Sequence, residues 1–235
     1  MIKGILFDLD DTLYDYNALN RNAVSALTAY SCEKLQVSKE TFEKAFSHGR
    51  QETKKGIDTL AAAHNRMIYM QKTLEYLQIN PFAYALEMYD VYWNYMLENM
   101  CLFKGAEELL CYLKNKGVQL AICTDLTTHI QHRKVRKLGL DQYINVIVTS
   151  EEVGVEKPNI KMFLTVLDKL KMSPDEVLYV GDSYERDMVG AKKCGMRTYW
   201  YNPEGKKIEK INMVDKEFKD YAMLRRLLED EFEKY

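Results

Sequence analysis

Residues 1–15 read MIKGILFDLDDTLYD. An apolar run, Ile5-Leu6-Phe7, is followed by three carboxylates within four positions: Asp8, Asp10 and Asp11. A short, continuous apolar run closed by turn-forming residues predicts a strand buried on both faces. Like charges gathered at the end of such a strand are costly unless something there uses them. Residues two apart in an extended chain face the same way, so Asp8 and Asp10 can share one side while Asp11 points elsewhere. Taken alone, the aspartates also suit a turn that caps a helix.

The rest of the chain repeats the opening pattern. VQLAICTD, INVIVTS and VLYVGD are further apolar runs that end in polar residues, and RTYWYN follows them. Helical stretches are predicted at about 105–116, 127–138, 158–171 and 185–194, with a last one at about 219–233. Gly117, Gly139 and Gly195 stand where glycines close helices. Pro158 suits the first turn of its helix. Apolar strands alternating with helices predict a doubly wound parallel sheet covered on both faces, a Rossmann-like α/β core.

Residues 16–100 break that rhythm. They hold no strand pattern but carry long helical periodicity, as in Ala83–Met100, where Leu86, Tyr89, Trp93 and Leu97 fall on one side. The expected organisation is a core of residues 1–15 and 101–235, interrupted by a helical domain of residues 16–100. The tyrosines of that insertion (Tyr69, Tyr76, Tyr84, Tyr89, Tyr92 and Tyr95) read first as helix-packing residues and only second as a pocket lining.

Composition narrows the class. The chain has 235 residues, 47% of them apolar, enough for a full core. Its net charge of −2 gives no basic excess for nucleic acid. No apolar run is long enough to span a membrane, and the N-terminus enters a strand at once without a leader pattern. The five cysteines are odd in number, scattered and without a CxxC pair, which fits reduced thiols. A cytoplasmic protein is expected, with no nucleic-acid or membrane partner. The oligomeric state stays open.

Ligands of a doubly wound sheet sit outside the carboxyl ends of its strands. Asp8 stands at that rim, and GDSYERD places Asp182 at the end of another strand with Asp187 five residues on. Close carboxylates at one rim call for a cation, and an all-oxygen set suits Mg2+. Taken singly, Asp187 reads as a helix-start residue, Thr124 as a helix N-cap and Lys157 as a solvated surface lysine. Their common placement at strand ends raises the joint reading: a hydroxyl and an ammonium for an anion beside a carboxylate-bound cation. His129 and His132 read as an exposed helix face, and Cys123 as a core residue.

In order along the chain, FDLDDT, ICTD, EKP and GDSYERD resemble the four motifs of the haloacid dehalogenase superfamily, mostly phosphatases with an aspartate nucleophile. The helical insertion is similar to that family's C1 cap. SEEVGVEKPNIKMF resembles the branch of pyrimidine 5′-nucleotidase-type phosphatases. The resemblance implies Asp8 as nucleophile and Asp10 as proton shuttle. It implies a phosphate-binding set of Asp8, Thr124, Asp125 and Lys157, with Thr124 and Lys157 also catalytic. It also implies Mg2+ held by Asp8, Asp10 (through its backbone carbonyl) and Asp182, with Asp187 helping. Asp11 is read as a bystander, a position where many members carry glycine. The implied substrate is a small phosphorylated metabolite, a nucleoside monophosphate first and a sugar phosphate next. A phosphomutase and a non-catalytic phosphate-binding module on the same fold stay open as alternatives.

Overall fold

The computed structural model describes residues 1–208 and 212–233. The chain divides into two compact units, one of residues 1–15 and 101–235, the other of residues 16–100. The first begins with β1 (Gly4–Phe7). The second holds α1 (Tyr16–Leu35), α2 (Lys39–Lys54), a short 3-10 turn at Ala61–His64, α3 (Arg66–Tyr76) and α4 (Pro81–Asn99). The first unit then continues through α5 (Ala106–Asn115), β2 (Gln119–Thr124), α6 (Thr128–Lys137), β3 (Val146–Thr149), α7 (Ser150–Val153) and α8 (Ile160–Leu170). It closes with β4 (Val177–Gly181), α9 (Val189–Lys193), β5 (Arg197–Tyr201), β6 (Lys216–Phe218) and α10 (Tyr221–Phe232).

The strands form one parallel sheet in the order β3-β2-β1-β4-β5-β6. The chain winds outward from β1 through β2 to β3, then returns to β4 on the other side of β1. The winding direction therefore reverses at the β1–β4 pair, where such sheets open a crevice at the carboxyl ends of their strands. Phe7 is level with Ile122 and Val180, so the residues after these three strands emerge together. β6 was not foreseen: its Lys-Glu-Phe sequence is too short and too charged for an apolar-run pattern.

One large core lies between the sheet and its helices. α8 buries Met162, Phe163, Val166, Leu167 and Leu170, a stripe at helical spacing. Each such side chain contributes about 1.5–3 kcal/mol relative to exposure. Cys123 belongs to this core, as strand alternation predicts. Gly117, Gly139 and Gly195 close α5, α6 and α9 at positive φ. Pro158 does not enter a helical turn. Asn159 caps α8 by accepting the Lys161 N–H, and Pro158 precedes it after a cis peptide bond.

In the helical unit α1 packs on α2 and α4, and α3 on α2 and α4. α4 corrects the expected face. Its buried residues are Ala85, Met88, Tyr92, Trp93 and Met96, whereas Leu86 is 67% exposed. Glu87, Asp90, Asn94 and Glu98 form the exposed stripe opposite, a better guide to the face than the apolar residues, which extend beyond the buried side.

Candidate active site

Asp8 directly follows β1, and its N–H donates to the Val180 carbonyl, which continues the sheet one residue further. Its side chain is buried, with the Lys157 ammonium 2.7 Å from Oδ1. That contact is ionic and not a directed hydrogen bond, so this buried oxygen accepts none. Lys157 is itself only 5% exposed and is no surface lysine. It also donates to Asp187 Oδ1 at 2.7 Å and lies 3.3 Å from the Tyr179 hydroxyl. The Tyr179 hydroxyl is within hydrogen-bond distance of both Asp187 Oδ1 and the Cys123 carbonyl, and its single proton serves one at a time.

Asp187 lies in a single π-helical turn, Tyr184–Met188, whose N-cap is Ser183. Its second oxygen accepts the Ser183 N–H at 3.0 Å. Both oxygens are thus held by protein donors. Gly181 makes this possible: a Cβ there would lie 2.5 Å from Asp187 Oδ2. Asp182 follows β4. Its carboxylate accepts from Thr12 Oγ1 at 3.1 Å, and its backbone carbonyl accepts from the Trp200 indole at 2.8 Å.

Asp10 goes elsewhere. Lys134 donates to both of its oxygens at 2.8 Å, and the Tyr14 hydroxyl donates to one at 2.7 Å. Lys134 is fully buried on α6, three residues from the equally buried Gln131. Gln131 donates to the Thr124 hydroxyl and to the Asp125 carbonyl, each at 2.7 Å. Thr124 ends β2, and Thr127 takes the N-cap position of α6 in its place. The Asp125 carboxylate accepts the Lys157 backbone N–H at 3.0 Å and faces Arg186 at 3.7 Å. It orients the lysine segment. Sequence reading missed Lys134, Gln131, Tyr179 and Arg186. The signal for the first two was on α6: His129 and His132 are exposed as expected, so the opposite face had to carry 131 and 134 inward.

Oxygens of Asp8, Asp182 and Asp187 lie within 4.8 Å of one another. Burial pushes Asp8 well above the usual carboxylate range, with the Asp187 and Asp182 charges adding to it and Lys157 opposing. Burial, then the charges of Asp187 and Asp11, push Asp182 up to about 7. Asp11 therefore acts on the site through its charge, and it sits at φ 59°, in the left-handed region that favours glycine. Burial alone would lower the Lys157 pKa, but Asp187 and Asp8 outweigh it and keep the ammonium charged. Three carboxylates face the Lys157 ammonium, and the Arg186 guanidinium, which also serves Asp125, still leaves them in excess. That surplus, with a buried oxygen that accepts no hydrogen bond, fits a hard divalent cation. Asp8, Asp182 and Asp187 each have an oxygen to offer, and the Asp10 carboxylate is outside the cluster.

A parallel sheet with buried carboxylates and a lysine at its switch point is the build of an α/β enzyme that handles a small charged ligand. The chain belongs to the haloacid dehalogenase-like hydrolase family, whose model matches residues 5–201. It is 38% identical over 205 residues to a ribulose-1,5-bisphosphate 5-phosphatase from Halopiger xanaduensis, covering 86% of each chain. It is 29% identical over 216 residues to the pyrimidine 5′-nucleotidase YjjG of Escherichia coli, covering 86% of this chain and 89% of that one. The crystal structure of a 2-haloacid dehalogenase from Pseudomonas syringae superposes with a TM-score of 0.80 at 27% identity, covering 98% of this chain and 99% of that one.

Proposed function

We propose that the protein is a Mg2+-dependent phosphatase that hydrolyses a small phosphomonoester through an aspartyl-phosphate on Asp8. The observation that carries this reading is Asp8 itself: a buried carboxylate at the end of the central strand, 2.7 Å from a buried ammonium. An Asp8 oxygen attacks phosphorus, the ester P–O bond breaks, and the leaving alcohol takes a proton from Asp10. Water then attacks phosphorus and gives its proton to Asp10, and the bond from Asp8 to phosphorus breaks to free phosphate and Asp8. Lys157 and the Thr124 hydroxyl hold phosphoryl oxygens and spread the developing charge. Gln131 and Asp125 hold Thr124 and Lys157 in place. Bound Mg2+, at Asp8 and Asp182, would neutralise charge and keep Asp8 ionised, as a nucleophile must be. Dehalogenation is disfavoured because Asp10 is present and held by Lys134.

For the substrate, similarity to a sugar-bisphosphate phosphatase at 38% identity supports placing a phosphorylated sugar ahead of a nucleoside monophosphate. Residues 16–100 serve as the cap that carries this choice. The test is release of inorganic phosphate from sugar phosphates and nucleotides, with Mg2+ or EDTA, beside Asp8→Asn. Metal-dependent release, lost in the variant by at least about a thousandfold, is expected. Equal release by Asp8→Asn would end the aspartyl-phosphate reading.

A further inference from the structure

The helical unit encloses a cavity of about 220 Å³ between α1, α2, α3 and α4. Arg50, Lys54, His64 and Arg66 line it, together with tyrosines, asparagines and apolar residues, and no Asp or Glu does. Arg66 is the anchor. It is 8% exposed, and no carboxylate pairs with it among the described residues. Nη1 donates to the His64 carbonyl at 2.6 Å, and Nη2 donates to the Tyr16 hydroxyl and, at 3.5 Å, to that of Tyr92. The Tyr92 hydroxyl in turn donates to Asn20 at 2.6 Å. The faces of Tyr69, Tyr92 and Trp93 lie 5.4–5.7 Å from the guanidinium carbon.

A buried guanidinium is costly unless an anion balances it. Here the protein supplies only neutral partners. At most three of the five N–H donors are used, which leaves part of the fork for a ligand. Arg50 and Lys54, four apart on α2, bring two more cations to the same space, and neither has an ion pair among the described residues. The volume is below the roughly 300–1,000 Å³ of pockets for whole drug-sized ligands, so it suits a single charged group. The aromatic rings are engaged with Arg66 and not open for a base to stack on.

We propose that this cavity is an oxyanion site that takes one phosphate group, held by Arg66 with Arg50 and Lys54. The ligand is free inorganic phosphate, and its binding within the helical unit does not rest on the phosphatase reading.

The two tryptophans give the test. Trp93 packs on Arg66, and the Trp200 indole binds the Asp182 carbonyl. Inorganic phosphate is titrated into the full chain in EDTA while the two indole 15N–1H signals are followed. Phosphate is expected to move the Trp93 signal saturably. The Arg50→Ala/Lys54→Ala variant should weaken that response about tenfold or more through lost charge-assisted hydrogen bonds. Arg66→Gln should abolish it. The double variant changes residues that are exposed or half-buried, so it answers even where Arg66→Gln fails to fold. A Trp93 signal that stays still, or one indifferent to the double variant, overturns the proposal. A shift of Trp200 alone does so too, while sparing the phosphatase reading.

Discussion

Lys134 is fully buried, and its ammonium bridges both oxygens of Asp10. In the proposed mechanism this contact fixes the proton shuttle. Lys134→Met is expected to lower kcat about ten- to a hundredfold, part of the 10²–10⁴ that general acid–base catalysis supplies, with KM held within about threefold. Steady-state kinetics on the preferred substrate decide it, since a merely structural lysine would move both constants or neither. Residue-scale electrostatics also set a metal-linked pH effect. Asp182, pushed up to about 7 in the folded metal-free chain, binds its proton more tightly there than when unfolded. The unfolded state then binds fewer protons, so this group makes stability fall as pH rises from about 4 to about 7. An Mg2+ ion bound at the cluster, as proposed, would remove the penalty by balancing the carboxylates. The rise in Tm on adding Mg2+ should therefore be larger at pH 8 than at pH 5. Equal rises at both would show that the carboxylate cluster does not hold the ion. These residue-level features divide sharply in legibility. Asp8, Thr124 and Asp182 announce themselves because polar residues at strand ends are conspicuous, whereas Lys157 lies beyond α7 and stands out only through its motif. Lys134, Gln131 and Tyr179 hide inside a helix or strand, where residue type says nothing about direction.

At the scale of elements, β4 and the π-helical turn after it work as one device. The strand delivers Asp182 to the crevice, and the widened turn folds Asp187 back beneath it. Gly181 is the hinge between them, needed for space and not for φ. Gly181→Ala should place a methyl against the Asp187 carboxylate and shift the Lys157 anchor. Displacements near 1 Å at such a site cost about a hundredfold in rate, so kcat should fall by that order while thermal stability falls by about 1–3 kcal/mol. Activity and melting assays on one preparation check it; an unchanged kcat would mean Asp187 does not position Lys157. Element types were readable because buried parallel strands are apolar runs and their helices amphipathic. Boundaries and faces were less so. α8 starts two residues later than Pro158 suggested because Asn159, not the proline, supplies the cap. α4 hides its buried face because apolar residues such as Phe82 and Leu86 also lie on its exposed side, although Glu87, Asp90, Asn94 and Glu98 form a polar stripe opposite the buried one.

At the scale of the molecule, the doubly wound parallel sheet is legible in strands that alternate with helices, but its strand order is not, since that alternation leaves more than one parallel topology open. What the pattern does not convey is how tightly the helical insertion is built. α2 and α3 approach so closely at Gly49 that a Cβ would lie 2.8 Å from the Tyr69 carbonyl and 2.9 Å from the Thr73 nitrogen. Backbone cannot yield as a flexible side chain can, so Gly49→Val separates the two helices at a cost of about 1–3 kcal/mol. The two units have separate cores, one centred on the sheet and one among α1–α4. The loss should therefore stay local. Native-state hydrogen exchange would show it: amides of α2 and α3 lose protection, while those of β1 and β4 keep theirs. The cavity behind Arg66 is built from the same helix pair, so loosening them should also weaken the response of Trp93 to phosphate. If β1 and β4 lost protection by the same amount, the chain would open as one cooperative body, and the two cores would not be independent units of stability.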